Sequence, residues 1–342
     1  MKRKRHSGFG GGLLKKMEIN SGAQRLHYSM FNVGRSMLDV RWSAFIVTIM
    51  ILAVAATFAT KAVAKDADAP LSVYVVNYPL QYFAERIGGP DVRVVFPAPA
   101  DGDPAFWKPS LEQIAAYQKA DLILLNGASY AKWVAHASLP ASRMVDTSAS
   151  FADQFIPLED QVTHSHGLGG KHEHGDVAFT IWLDPQQAII KAQAVRDALI
   201  RKRPGAAGDF NQRFNSLATD LKDLDERMAA VVTAAASRPM VFSHPVYQYF
   251  IRRYGLNGQE VHWEPEESLA PEQWAELKQI LKEHPAQWMI WEGTPNPSTV
   301  DELKKSGLDS LTFDPCGNVP ETGDYLSVMR ENVLNLKKAF SR

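Results

Sequence analysis

The sequence feature that most constrains the fold is a long amphipathic stretch at residues 204–238. Its apolar residues recur in alternating steps of four and three, which places them on one face of an α-helix: Phe210, Phe214, Leu217, Leu221, Leu224, Met228 and Val231. Pro204 suits the first turn of a helix, and Pro239 ends it. About 30 residues would form a rod of roughly 45 Å, which is longer than a small domain is wide. We therefore predict a connecting helix that braces two separate bodies.

Residues 1–64 differ from the rest of the chain. The first 36 are basic and without periodicity, an apolar run occupies residues 44–58, and Ala62-Val63-Ala64 follows as an A-x-A cleavage pattern. This order predicts an N-terminal extension and a secretory signal peptide that is cleaved before Lys65. A single membrane-spanning anchor is the alternative, but the apolar run is shorter than the about 20 residues that a bilayer requires.

Once residues 1–64 are set aside, the chain is acidic. They contain ten of the 37 Lys and Arg residues but two of the 38 Asp and Glu residues, so the remainder has nine more acidic than basic side chains. This balance argues against a nucleic-acid partner. The single cysteine, Cys316, excludes an internal disulfide. Together with the signal peptide, these features predict a periplasmic protein, and we expect a monomer.

Strand and helix patterns alternate on both sides of the connecting helix. The predicted strands include residues 71–76, 92–96, 121–125, 240–243, 288–291 and 310–313. Strands that alternate with helices favour parallel sheets with both faces covered.

Two internal matches in the same order indicate a duplicated lobe. Residues 81–88 (QYFAERIG) agree with residues 248–255 (QYFIRRYG) at five positions, and residues 120–127 (ADLILLNG) align with residues 286–293 (AQWMIWEG) at nearly the same offset. The predicted fold is therefore α/β, with two similar Rossmann-like lobes, each a parallel sheet flanked by helices, joined by a long rigid α-helix. The predicted boundaries are residues 65–203 for the first lobe, 204–238 for the connecting helix and 239–342 for the second lobe.

The ends of the first strand in each lobe indicate where a ligand binds. Ligands of open parallel sheets lie beyond the carboxyl ends of the strands, and Asn77 and His244 both occupy such an end. We expect the binding site in a cleft between the two lobes.

Four histidines lie within the glycine-rich segment 163–176: His164, His166, His172 and His174. The segment has no hydrophobic period, which predicts a mobile loop. Neutral imidazole is a ligand favoured by Zn²⁺, Cu²⁺ and Ni²⁺, so a short tract of this kind predicts metal contact. A solvated polar loop without a ligand is the alternative.

Other candidate ligands follow strands of the second lobe. His244 is either a metal ligand or a structural histidine beside a proline, and Asp314 is either a ligand or the cap of the next turn. Glu292 ends a strand and is placed to face the same cleft. The remaining acidic residues of this region are predicted to form a solvated loop face: Glu264, Glu266 and Glu267.

Motifs of catalysis are missing from the sequence. It contains no H-E-x-x-H, no G-x-S-x-G and no phosphate loop. We therefore predict that the protein is not an enzyme. A secreted metalloenzyme, which would need an open coordination position and a general base, stays as an alternative.

The chain resembles the zinc- and manganese-binding substrate-binding proteins of ABC transporters over about residues 71–340. Four local patterns carry the resemblance: GDPAFW at 102–107 with Pro109-Ser110, ADL at 120–122 leading to Asn126-Gly127, WLDP at 182–185, and Ser243-His244 with YF at 249–250 and RYGL at 253–256. The His-rich segment is similar to the loop of zinc-specific members. The resemblance implies that Zn²⁺ is bound between the lobes and delivered to an ABC transporter permease in the inner membrane.

The resemblance also identifies four ligand positions. Members of the family use a His after Asp-Pro, a His two residues before Trp-Leu, a His after the first strand of the second lobe, and a late Asp or Glu. Here these positions hold Ala105, Thr180, His244 and Asp314. Only the last two can ligate, whereas zinc prefers about four ligands.

Two accounts of the site follow from this departure. In the first, which we favour, two of the four loop histidines fold into the cleft and complete a tetrahedron with His244 and Asp314. In the second, the cleft has lost its metal and binds another solute, or the protein is an adhesion or scaffold protein.

Overall fold

The structure is a computed structural model that describes residues 69–158, 163–166, 170–173, 177–233 and 236–340. The predicted N-terminal extension and signal peptide lie outside these ranges. Within them, no helix combines the length and the apolar character needed to cross a membrane.

The first lobe is built on a four-stranded parallel sheet with the strand order β2-β1-β3-β4. The strands are β1 (Leu71–Val75), β2 (Val92–Val95), β3 (Leu122–Leu125) and β4 (Met144–Asp146). The helices are α1 (Tyr78–Gly88), α2 (Leu111–Lys119) and α3 (Pro185–Lys202). After β3 the backbone turns at Gly127, where φ is +80° and an added Cβ would lie 1.7 Å from Ser148 Oγ. Only glycine fits this turn.

The histidine-rich segment contains a β-hairpin. Strand β5 (Thr163–His166) pairs with β6 (Gly170–Glu173) in antiparallel register, with His164 opposite His172. The sequence predicted a mobile loop here and did not predict these strands, because a strand ladder satisfies backbone groups without any hydrophobic period. His174 lies outside the described residues.

The connecting helix is α4 (Ala207–Val232), which follows a short 3₁₀ turn at Pro204–Ala206. Six of the seven residues of the predicted apolar stripe are buried in α4. The exception is Val231, which is partly buried, while Val232 is fully buried, because a step of four from Met228 keeps the stripe on one face. Helix α4 packs against α1 and α3 of the first lobe.

The second lobe repeats the first in the strand order β8-β7-β9-β10, again fully parallel. Its strands are β7 (Met240–Phe242), β8 (Gly258–Glu260), β9 (Trp288–Trp291) and β10 (Asp309–Thr312). Its helices are α5 (Gln248–Tyr254), α6 (Pro271–Glu283), α7 (Pro297–Lys305) and α8 (Tyr325–Phe340). The matched sequences QYFAERIG and QYFIRRYG lie on α1 and α5, which each follow the first strand of a lobe. The prediction of two similar α/β lobes is confirmed.

The hydrophobic core runs from the first sheet across α4 to α8, and the second lobe has a further core around Trp263 and Trp291. Polar contacts also anchor α4 at both sides. Asp220 accepts from Arg86 of α1 at 2.7 Å. Asp225 accepts from Arg253 of α5 at 2.5 and 3.0 Å and from the Tyr254 hydroxyl at 2.9 Å. The same helix is therefore fixed to both lobes.

Replacing Asp225 tests this anchor. We expect Asp225→Ala to lower the free energy of unfolding by about 2 kcal/mol, because it removes the acceptor of a partly buried guanidinium and of a partly buried hydroxyl, and Asp184 at 3.7 Å from Arg253 replaces it only in part. Asp223→Ala is the control, since its pair with Arg227 on the exposed face of α4 is open to solvent and should contribute little. Urea unfolding measures both, and equal losses would contradict the bracing role of Asp225.

Candidate metal centre

A cleft of about 800 Å³ lies between the two lobes. Its second-lobe wall is formed by residues that follow the carboxyl ends of β7, β9 and β10, as expected for a parallel sheet. The residues that line it include Asp103, Trp107, Tyr130, Thr180 and Trp182 from the first lobe, and His244, Glu264, Glu292 and Asp314 from the second.

His244 is fixed at the end of β7. The Ser243 amide donates to Ile290 O at 2.8 Å, which extends the pairing of β7 with β9, and the Val246 amide donates to His244 O at 2.9 Å. The histidine is 5 % exposed. Its imidazole thus enters the cleft wall from a backbone that the sheet holds in place.

Two carboxylates flank the imidazole. His244 Nδ1 lies 3.4 Å from Glu292 Oε1, and His244 Nε2 lies 3.6 Å from Glu264 Oε1. One ligand atom from each of the three residues lies within 4.8 Å of the other two. Imidazole nitrogen and carboxylate oxygen are both zinc ligands, so these three residues, called here the His244 cluster, form a candidate cation site.

The position of Glu264 corrects the sequence analysis, which assigned it to a solvated face. The chain stays extended beyond β8, with the Val261 amide bonded to Phe242 O at 2.9 Å and the Trp263 amide bonded to Ser243 O at 2.7 Å. Val261 and Trp263 are both 0 % exposed, and the residues between and beyond them face the other way. This alternation turns Glu264 towards His244. Glu266 and Glu267 are exposed.

Asp314 lines the same cleft after β10, where its predicted cap is observed and its predicted ligation stays a prediction. One carboxylate oxygen accepts from the Cys316 amide at 2.6 Å, which is the predicted cap of the turn. The Asp314 amide donates to Asn332 Oδ1 at 3.0 Å, and Asn332 Nδ2 donates to Asp314 O at 2.7 Å. A carboxylate has a second oxygen, so capping does not prevent ligation.

Burial and neighbouring charge set the protonation of these groups. Burial alone would lower the pKa of His244, but the carboxylates of Glu292, Glu264 and Asp103 outweigh it and raise the pKa to about 9. Burial raises the pKa of Asp314, and the charge of Glu292 adds to this. In the metal-free protein, His244 is therefore protonated near neutral pH and lies between two carboxyl side chains.

Residues 73–339 match the family model described as "Zinc-uptake complex component A periplasmic". The chain belongs to this family. The resemblance drawn from the sequence motifs is thereby confirmed.

Relatives with similar sequences are zinc-binding proteins by name. The zinc-binding lipoprotein AdcA of Streptococcus pneumoniae strain R6 is 24% identical over 285 residues, which is 80% of this chain and 56% of that protein. The high-affinity zinc uptake system protein ZnuA of Bacillus subtilis is 25% identical over 309 residues, which is 87% of this chain and 97% of that protein. The chain thus spans little more than half of the AdcA sequence.

Solved structures share the fold at lower identity. The crystal structure of Zn(II)-bound AdcA from Streptococcus pneumoniae has a TM-score of 0.68 at 20% identity and covers 80% of this chain and 58% of that one. The solute-binding protein FpvC from Pseudomonas aeruginosa, in complex with Mn²⁺, has a TM-score of 0.65 at 20% identity and covers 80% of this chain and 99% of that one. These matches support the two-lobe architecture.

Two first-lobe positions of this chain, at which the family motifs expect a histidine, hold other residues. Ala105 is 2 % exposed and offers only a methyl group. Thr180 is 4 % exposed, and its hydroxyl donates to Val246 O of the second lobe at 2.5 Å. The hairpin places the backbones of His164 and His172 opposite each other. The predicted ligation by His164, His166, His172 and His174 stays a prediction.

Titration of His244 tests the electrostatics of the cluster. We expect Glu292→Gln to lower the pKa of His244 from about 9 in the metal-free protein, because it removes the closer carboxylate. The folded-state pKa lies above the ordinary value of 6.5, so the stabilisation is complete below pH 6.5 and is lost as the pH rises through 9. Imidazole NMR and unfolding at several pH values measure both effects.

The matched control is Glu302→Gln, which neutralises an exposed carboxylate on α7. If both variants left the His244 titration unchanged, the carboxylates would not be the cause of the raised pKa.

Proposed function

We propose that this protein captures a divalent transition metal, Zn²⁺, in the cleft between its lobes and delivers it to an ABC transporter permease in the inner membrane. The single observation that carries the proposal is the His244 cluster, in which one imidazole lies between two carboxylates. The cluster lies beyond the carboxyl ends of the second-lobe strands, where parallel sheets bind ligands, and the chain belongs to a zinc-uptake family. The proposal includes export to the periplasm through the N-terminal signal peptide, and binding and release without catalysis.

The spacing of the cluster supports binding by a small adjustment. Zinc bonds of about 2.1 Å at tetrahedral angles place neighbouring ligand atoms about 3.4 Å apart. The two pairs in the cluster are 3.4 and 3.6 Å apart, although they use different nitrogens of the ring. A single ion binds one of these two nitrogens. The carboxylate beside the other nitrogen must then move towards the ion, or water takes its place in the coordination sphere.

The remaining ligands are proposed from the cleft and from the histidine-rich segment. Asp314 lines the cleft beside Glu292 and supplies a fourth side chain. His164, His166, His172 and His174 add imidazoles that the described cleft lacks apart from His244. Imidazole raises the preference for zinc over the harder cations that carboxylates suit.

A second candidate function rests on the charge of the cluster. Protonated His244 pairs with Glu264 and Glu292 and offsets part of their negative charge without any ion. A cleft of this kind would bind another solute or serve as a scaffold. Zinc titration of the purified protein without residues 1–64 separates the two functions.

We expect one zinc ion per chain by calorimetry, with an affinity that rises about tenfold per pH unit towards pH 9, because the metal must displace the His244 proton. His244→Gln, Glu264→Gln and Glu292→Gln should each weaken binding by at least about tenfold, which is the cost of losing even an outer-shell partner. His136→Gln is the control, since it removes an exposed imidazole away from the cleft. No heat of binding with the unmodified chain would overturn the proposal.

Deleting residues 163–176 tests the part assigned to the four histidines of that segment. If two of them complete the coordination sphere, the deletion should lower zinc affinity strongly, because too few protein ligands would remain. A glycine- and serine-containing segment of equal length is the matched control for loop closure. Unchanged affinity after deletion would restrict the site to the His244 cluster and Asp314.

A further inference from the structure

A short segment beside the cleft, residues 178–182, called here the seam, carries several of the contacts between the lobes. Asn318 of the second lobe also bonds to the first lobe, at Pro99 O and Gly102 O. Three alternate residues of the seam bond to the second lobe. Ala178 O accepts from the Tyr249 hydroxyl at 3.1 Å, the Thr180 hydroxyl donates to Val246 O at 2.5 Å, and Trp182 Nε1 donates to Pro315 O at 2.7 Å. From the first lobe, Asn126 Nδ2 donates to Phe179 O at 2.9 Å. The seam is therefore fixed from both sides.

Thr180 is used unusually within the seam. It precedes a short 3₁₀ helix, Ile181–Leu183, at a position where a threonine side chain normally caps the exposed amides. Its side chain makes no such cap and instead donates to Val246 O in the second lobe. Both oxygens are buried, so the bond is protected from competition by water.

Val246, whose carbonyl accepts this bond, connects Thr180 to His244, the proposed metal ligand. Val246 donates its own amide to His244 O, which closes the turn that presents the imidazole to the cleft. The Thr180 hydroxyl therefore fixes the far end of that turn. Without it, a buried carbonyl loses its partner, and the turn that carries His244 is free to shift.

The cluster itself contains no residue of the first lobe. Among the described residues, the three that gather potential ligand atoms within 4.8 Å all belong to the second lobe, and the first-lobe position equivalent by motif holds this threonine. The contact between the lobes at this point is thus a hydrogen bond.

We propose that Thr180 is a positioning residue that holds the lobes together at the cleft and fixes the His244 turn, so that metal enters a site already arranged by the protein. This inference rests on the proposed metal-binding function. It assigns to the first lobe a role in orientation at the position where the family motif expects a ligand.

The test compares Thr180→Val with Thr180→Ser in the chain without residues 1–64. Valine keeps the shape and removes the donor, and serine keeps the donor. We expect the valine variant to bind zinc about tenfold more weakly and the serine variant to bind within about twofold of the unmodified protein. Thr180→Ala takes the place of the valine variant if the latter does not fold, as judged by circular dichroism.

The matched control is Tyr249→Phe, which removes the neighbouring bond of the same seam to Ala178 O without touching the His244 turn. It should lower thermal stability as the valine variant does and leave zinc affinity unchanged. Equal loss of affinity in the Tyr249 and Thr180 variants would reduce Thr180 to a general structural role and overturn the inference. So would full affinity in the valine variant.

Spin labels on Glu112→Cys of the first lobe and Lys304→Cys of the second provide a readout without metal. Both positions are exposed, and Cys316 is 2 % exposed and so protected from labelling. We expect the distance distribution to be narrow in the metal-free protein, unchanged by zinc, and broader after Thr180→Val. Absence of zinc binding with a narrow distribution would overturn the proposed function alone, and a valine variant with an unchanged distribution would overturn the inference alone.

Discussion

The site depends on one constraint, which is that the carboxyl ends of parallel strands emerge at the same edge of a sheet. In the second lobe this edge brings together residues that are up to 70 positions apart in the chain. His244 follows β7, Glu292 follows β9 and Asp314 follows β10, while Glu264 lies on the extension of β8. A change in strand order or register would move these side chains apart. The sheet topology therefore determines which side chains meet in the cleft.

The first lobe uses the same edge for a different purpose. Asn126, directly after β3, accepts from Asn77 Nδ2 at 3.0 Å, donates to Phe179 O of the seam, and offers its own carbonyl to Lys191 Nζ at 2.6 Å. Lys191 is 0 % exposed, and its burial lowers its pKa to about 7, an effect that Asp146 opposes. This polar network cannot relax into water, so it holds the seam in one position. The first lobe therefore contributes a fixed polar network beside the cleft.

The sequence predicted the elements whose signals are local. The stripe of α4 and the ends of six strands were predicted within one or two residues, because helical period, β-branched runs and turn residues act over short distances. Two short strands, β4 and β8, were not predicted. Gly255, for example, ends α5 in the left-handed conformation with φ of +63°, which glycine adopts readily.

Glu264 was missed because its direction depends on non-local pairing. The chain beyond β8 stays bonded to β7, and this pairing turns the carboxylate inward. The alternation of polar and apolar residues in EVHWE was a usable signal, with Val261 and Trp263 buried on the opposite side. Thr180 was read only as a missing ligand for the same reason, since its acceptor lies 66 residues away.

In the proposed site, a proton and a metal ion compete for the imidazole nitrogens of His244. Two carboxylates beside one imidazole favour positive charge at the ring, which either a proton or a divalent cation supplies. An imidazolium pairs with the carboxylates where the proposed metal ion would otherwise lie. In the proposed exchange, a divalent ion takes the place of the imidazole proton, and the two carboxylates, when ionised, balance its charge. The lobes need not move to compensate for an unpaired buried charge, which is consistent with hydrogen bonds holding them together along the seam.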